Sequence, residues 1–246
     1  MSESSITIKT QHGDMPVEVF QPAGYGPWPA AILYMDGIGP RPALSDMARR
    51  IADQGYYVLL PNLYYRSGPW KPLVPVEAFQ EGPARQQMLS AMGSLTLALV
   101  ASDSTAMLDW LKSQKQVQAD KVGLVGYCMG CAHAITAAAN HSDQVRAVGA
   151  FHGARLVTDQ ADSPHNRLKD VKASLYIGVA GIDPWLAPGE TDSLKQALDT
   201  AKSDYVLEIY PDAKHGFAVT DTPVFDAAAA TKHWEKLFGL FAKAMK

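Results

Sequence analysis

Short, largely apolar runs recur along this chain with helix-length segments between them, and that alternation limits its possible folds more than any other feature. The runs are Ala30–Met35, Tyr56–Leu60, Lys121–Gly126, Val145–Phe151, Ala173–Ala180 and Tyr205–Tyr210. Continuous apolar runs of this length suit strands buried on both faces, as in parallel sheets whose crossover helices cover each side. The pattern predicts helices over Ser45–Gln54, Ala84–Leu99, Ser102–Gln114, Met129–Asn140, Thr191–Ala201 and Phe225–Ala244, the first stopped by Gly55. Ser5–Thr10 and Met15–Phe20 alternate in polarity around His12-Gly13-Asp14, which predicts a hairpin at a sheet edge. The expected fold class is α/β: a mainly parallel central sheet, helices on both faces, and an N-terminal antiparallel hairpin.

The 246 residues show no repeat, low-complexity tract or linker, so one domain over 1–246 is expected. With 47% hydrophobic and 19% charged residues, the chain can build a packed core. Lys and Arg total 22 against 25 acidic residues, a net charge of −3, which argues against nucleic acid as a partner because phosphate binding needs a basic face. The apolar runs fall short of the about 20 residues that span a bilayer, so no membrane partner is expected. Met1–Thr10 has no basic segment followed by an apolar block, so the expected location is cytoplasmic and the two cysteines are expected as reduced thiols. From Asn62 to about Gly82 the chain is rich in Pro, Gly, Tyr and Trp, a long loop expected to wall an apolar pocket, with Tyr64, Tyr65, Trp70 and Phe79 as its packing residues.

The strongest chemical signal is Gly126-Tyr127-Cys128-Met129-Gly130, between an apolar strand and a helix of small residues. It is the nucleophile-elbow pattern of α/β-hydrolases with cysteine in the serine position. Such a turn is sharp enough that side chains at Gly126 and Gly130 would strike neighbouring backbone. It places Cys128 at a helix N-terminus, whose free N–H groups and dipole favour a thiolate, and aims the Met129 N–H where a tetrahedral oxyanion forms. Downstream, Asp183 follows the strand Ala173–Ala180 and His215 follows Tyr205–Tyr210. Nucleophile, acid and base thus occur in the chain order of that class, each at the C-terminal end of a strand, where open parallel sheets carry their sites. Taken singly, an Asp before Pro is a turn former and a His after a strand is solvated; the ordered set carries the argument.

Other readings use the same residues. Cys128-Met129-Gly130-Cys131 is a C-x-x-C, compatible with a redox pair, although the expected role of Cys131 is a small buried residue. Cys128, Cys131 and His133 invite a zinc reading, but no second Cys or His pair stands at ordinary spacing, so no metal is expected. Gly37-Ile38-Gly39 hints at a dinucleotide loop, but Pro42 stands where the third glycine would be. His152, in Phe151-His152-Gly153 near the same sheet edge, is expected to pack beside its loop, with a substrate contact as the alternative, and Arg66 reads either as a surface charge or as a loop anchor. A catalytically silent binding domain of the same fold is the remaining alternative.

Over nearly its whole length the chain resembles the dienelactone hydrolases (carboxymethylenebutenolidases), the cysteine-dependent branch of the α/β-hydrolase fold. The resemblance lies in Asp36-Gly37-Ile38-Gly39, Gln54-Gly55-Tyr56, Pro61-Asn62-Leu63-Tyr64-Tyr65-Arg66, Gly126-Tyr127-Cys128-Met129-Gly130, Gly181-Ile182-Asp183 and His215-Gly216-Phe217. It implies hydrolysis of an ester or enol-lactone, a small-molecule substrate, through a thiol ester on Cys128, with Asp183 and His215 completing a triad and no cofactor. It also implies an oxyanion hole from the N–H groups of Met129 and Gly37. Asp36, Arg85, Tyr127 and Phe217 are implied as substrate-binding or resting-state partners. Asp36 stands where the family carries a glutamate paired with the resting cysteine, and Val219 stands where the family carries one of two arginines for a substrate carboxylate. Valine does not replace a bidentate guanidinium, so small neutral esters or lactones are expected to compete well here, unless Arg85 or Arg41 takes over recognition of an anion.

Overall fold

The computed structural model describes residues 1–245. Strands β1 (Ser2–Thr10) and β2 (Gly13–Gln21) form the expected hairpin, followed by β3 (Trp28–Tyr34), helix α1 (Pro42–Ala52) and β4 (Tyr57–Pro61). The long loop contains a 3-10 turn at Tyr65–Ser67 and the one-turn helix α2 (Pro75–Ala78). Helices α3 (Pro83–Ser94) and α4 (Leu97–Ser113) come next, then β5 (Val117–Tyr127), α5 (Gly130–Asn140) and β6 (Val145–Phe151). A 3-10 segment at Pro164–Asp170, β7 (Ser174–Ile182), α6 (Glu190–Ala201), β8 (Tyr205–Lys214) and α7 (Ala227–Met245) complete the chain.

All eight strands form one sheet in the order β1-β2-β4-β3-β5-β6-β7-β8. The β1/β2 and β2/β4 pairs are antiparallel, and every pair from β3/β4 to β7/β8 is parallel. The hairpin therefore extends a parallel sheet at one edge. Tyr57–Pro61 is buried throughout, as is the run Val122–Tyr127, which explains why these strands read as unbroken apolar stretches.

Helices α1 and α7 meet on one face, where the Arg50 guanidinium lies 4.7 Å from the centre of the Trp234 ring and Tyr56 meets Phe241 edge-on. Helix α7 buries Ala230, His233, Trp234, Leu237, Phe241 and Met245, a stripe at helical spacing. Each large apolar side chain so buried contributes about 1.5–3 kcal/mol of transfer free energy. Helices α4 and α5 pack together and against the strands. The sheet core lies between the two helical layers.

The break between α3 and α4 corrects the sequence reading, which ran the first helix to Leu99 and began the second at Ser102. Leu95 is extended, and Thr96 caps α4 by accepting a hydrogen bond at its Oγ1 from the Leu99 N–H at 3.2 Å. A capping threonine offers the backbone an alternative to helix continuation, and it outweighs the apolar periodicity that runs through it. The two helices meet at 76°. Among the described residues, no single helix is long and apolar enough to cross a membrane.

Candidate active site

The elbow is as tight as its glycines demand. Cys128 has φ 55°, a left-handed conformation that costs a non-glycine residue about 1–3 kcal/mol and that concentrates at functional sites. A Cβ on Gly126 would stand 2.2 Å from the Gly130 carbonyl oxygen, and one on Gly130 would stand 2.4 Å from that of Tyr34. The Cys128 N–H donates to the Phe151 carbonyl at 3.1 Å, fastening the turn to the neighbouring strand end. Cys131 is buried beneath it, and its thiol lies 3.1 Å from the Gly126 carbonyl and 3.3 Å from that of Phe151. Burial, followed by the neighbouring Cys128, pushes the Cys131 thiol well above the ordinary range, so it stays protonated.

The ends of β7 and β8 bring an acid and a base together. The His215 N–H donates to the Ile182 carbonyl at 3.1 Å, which sets the His215 side chain beside the next residue, Asp183. His215 Nδ1 lies 2.7 Å from Asp183 Oδ2, with the two side chains 7% and 0% exposed. The other carboxylate oxygen accepts from the Trp185 N–H at 2.9 Å, so the Asp183 rotamer is fixed from both sides. Burial draws the His215 imidazolium down, but the charge of Cys128, followed by the hydrogen bond to Asp183, overrides it and raises the ring to about 10.

Cys128 and His215 line the same cavity, of about 90 Å³. Its walls are apolar: Ile38 from the loop after β3, Phe79, Met88 and Met92 from the segment α2–α3, and Met129 and Trp185. The long loop thus walls the pocket through Phe79, while Tyr64 and Trp70 pack against each other with tilted rings, centres 4.5 Å apart. Met129 stands at the N-cap of α5, and among the described residues neither its N–H nor that of Gly37 is used in a turn or cap bond. Tyr64 Oη donates to the Gly37 carbonyl at 2.7 Å and holds that loop in place.

The remaining sequence-derived residues are placed differently. Asp36 reaches the cavity wall, but both its carboxylate oxygens accept from Arg41, and Oδ1 also takes the Ile38 N–H at 3.0 Å. Arg85 lies outside the cavity lining, its Nη1 donating to the Phe79 carbonyl at 3.3 Å. Tyr127 points into the core, where its hydroxyl lies 2.8 Å from His233 Nε2. Phe217 is fully buried between Tyr210 and His152, behind the cavity wall. Val219 is fully buried and supplies nothing to the cavity. Arg66 is a loop anchor: it pairs with the buried Asp103 on α4 at 2.6 Å. Among the described residues, no group of three or more His, Cys, Asp or Glu could hold a metal ion.

Arg155 and Glu190 escaped the sequence reading, which leaves His152 between loop packing and a substrate contact. His152 lines the cavity, and so does the exposed Arg155. Both have left-handed backbones, φ 43° and 62°, a property that residue identity does not reveal. The buried Glu190 accepts from the Leu156 N–H at 2.7 Å and the Ala187 N–H at 3.1 Å, tying the loop after β6 to the one after β7.

A parallel sheet with an antiparallel hairpin, a cysteine on a strained strand-to-helix turn, and an Asp–His pair at the following strand ends define an α/β-hydrolase fold. The chain belongs to the dienelactone hydrolase family, whose model matches residues 15–245, and with it to the ester and lactone hydrolases. It is 29% identical over 237 residues to a provisionally named carboxymethylenebutenolidase of Methylorubrum extorquens, covering 94% of this chain and 78% of that protein. A provisionally assigned dienelactone hydrolase of Klebsiella pneumoniae subsp. pneumoniae superposes with a TM-score of 0.86 at 22% identity, over 98% of both chains. A dienelactone hydrolase-like promiscuous phosphotriesterase from metagenomic libraries superposes at 0.79 and 20% identity, over 100% of both.

Proposed function

We propose that this enzyme hydrolyses a small ester or enol-lactone through a thiol ester on Cys128, with His215 as base and Asp183 as its orienting acid. The observation that carries this reading is the meeting of Cys128 and the His215–Asp183 pair at one apolar cavity. In the first half-reaction His215 Nε2 holds the proton drawn from Cys128, and the thiolate sulfur attacks the substrate carbonyl carbon. The carbonyl oxygen becomes an oxyanion, received by the N–H groups of Met129 and Gly37; in comparable sites one such donor contributes about 3 kcal/mol or more. The carbon–oxygen ester bond then breaks and the leaving oxygen takes the proton from His215. In the second half-reaction a water gives its proton to His215 and attacks the thiol ester, and the thiol returns on release of the acid. An enol-lactone suits this chemistry, because the ring-opened enol becomes a ketone that does not readily re-close. The hydrogen bond between His215 Nδ1 and Asp183 holds the imidazole in the tautomer that leaves Nε2 free for proton transfer.

A panel of lactones and aryl esters assayed with wild type and Cys128→Ala tests the scheme. The expected result is loss of turnover in the variant with its circular dichroism spectrum unchanged. Turnover retained in Cys128→Ala removes Cys128 as the nucleophile.

A further inference from the structure

His152 is the polar group of the cavity that the hydrolysis scheme leaves idle. It is 1% exposed, and neither ring nitrogen has a hydrogen-bond partner among the described residues. A buried polar group left unsatisfied is costly, because it has given up its hydrogen bonds to water without replacing them. Its left-handed backbone adds strain, held in place by its N–H donating to the Gly178 carbonyl at 2.8 Å. The ring stands edge-on to that of His215, centres 5.1 Å apart, and to that of Phe217 at 5.4 Å. Burial, and then the neighbouring His215 and His233, push its proton affinity well down, so the ring is neutral and offers one donor and one acceptor.

The other polar groups of the cavity wall are committed or exposed. Asp36 is saturated by Arg41 and the Ile38 N–H, and Thr222 Oγ1 donates to the Gly216 and Val219 carbonyls. Arg155 is exposed to solvent. A second, open groove, lined by Ile182, Pro184 and Val224, meets the cavity at Phe79, Trp185 and His215, and His152 is absent from it. Cys128 and His152 line the same cavity, and the groove leaves it past His215.

We propose that His152 is a specificity-determining residue that hydrogen-bonds an uncharged oxygen, hydroxyl or ketone, on the acyl part of an otherwise apolar ester or lactone. This rests on the assignment of Cys128 as nucleophile. A carboxylate is the wrong partner, because a neutral imidazole in an apolar wall does not compensate its desolvation. A site built around such a hydrogen bond discriminates against the analogue that lacks it, because its own buried polar atoms are then left unpaired.

The probes are p-nitrophenyl butanoate and its 2-hydroxy, 3-hydroxy and 3-oxo derivatives, with each rate divided by that ester's own hydroxide-catalysed rate. Wild type is expected to favour at least one oxygenated ester by about tenfold in kcat/KM, the factor of one buried hydrogen bond. His152→Phe keeps a ring against His215 and removes both nitrogens; His152→Gly removes the ring and accepts the left-handed backbone without strain. In both, the preference is expected to fall within about twofold, through KM, with kcat on plain butanoate largely kept. His152→Asn, which tolerates this backbone and carries both a donor and an acceptor, is expected to restore part of the preference. Equal treatment of all four esters by wild type overturns the inference even if no variant folds, and so does a preference that survives in His152→Phe or His152→Gly. A Cys128→Ala protein that still turns over butanoate strikes instead at the nucleophile assignment, so the two failures are told apart.

Discussion

Arg41 closes a two-pronged bridge on Asp36, Nη1 to Oδ1 at 2.7 Å and Nη2 to Oδ2 at 2.8 Å, with the arginine side chain 1% exposed. Its Nε and Nη2 also reach Asp221 at 2.8 and 3.2 Å, so one guanidinium joins the loop after β3 to the loop after His215. Both carboxylate oxygens of Asp36 are thereby occupied, and Arg41 has no N–H fork to spare for a substrate carboxylate. Removing the cation leaves a buried, uncompensated carboxylate at a cost of about 3–5 kcal/mol. Arg41→Ala is expected to melt roughly 10 °C lower by calorimetry, at the usual few degrees per kcal/mol for a domain of this size. An unchanged melting temperature would show that the bridge does not hold these loops.

The His215–Asp183 pair makes a pH prediction. The folded-state value of about 10 lies above the ordinary 6.5, so protonation of His215 stabilises the native state fully below pH 6.5, and that contribution fades as the pH rises through about 10. Nitrogen-15 histidine NMR is expected to show His215 protonated well past neutrality in wild type, and to titrate lower in Cys128→Ala, which removes the largest upward influence. A midpoint near 6.5 in wild type contradicts the electrostatics described here.

Asp183→Asn replaces the acceptor that fixes the imidazole tautomer. A loss of about 10³-fold or more in kcat is expected by analogy with triads in which this exchange presents the wrong tautomer, with little change in melting temperature. Activity within tenfold of wild type would remove Asp183 from the chemistry.

Gly126→Ala probes the elbow itself. Its Cβ would lie 2.2 Å from a backbone oxygen that cannot rotate away, so the strand and α5 must separate. Expected is a protein destabilised by about 3 kcal/mol or more, seen as a lowered denaturant midpoint. Near-native stability would mean that the turn is looser than described.

Cys131→Ser keeps a donor for the Gly126 and Phe151 carbonyls and removes a redox partner. Ester hydrolysis is expected within about threefold of wild type, since one neutral donor replaces another and no reacting atom is touched. Collapse of turnover, restored by an added thiol, would revive the C-x-x-C reading.

Tyr64→Phe deletes only the hydroxyl that donates to the Gly37 carbonyl. A kcat reduced by about tenfold with KM little changed is the expected signature of a loosened oxyanion loop. A change confined to KM would place Tyr64 in substrate binding.

Much of this molecule was legible in the order of its residues. The unbroken apolar runs mark strands buried on both faces, and a strand followed by Gly126-Tyr127-Cys128-Met129-Gly130 requires a turn whose steric limits only glycine meets; these are local properties of neighbouring side chains and backbone. The chain order Cys128, Asp183, His215 likewise follows from strands that all end on one edge of a parallel sheet. The partners chosen across the fold were not legible. Asp36 goes to Arg41, which also holds Asp221, Glu190 binds the loop beside Leu156, and His152 turns its unpartnered ring to the cavity in a left-handed conformation. Such choices depend on distances between segments far apart in the chain and on which buried polar atoms are already satisfied, and those are settled only when the helices and loops close over the sheet.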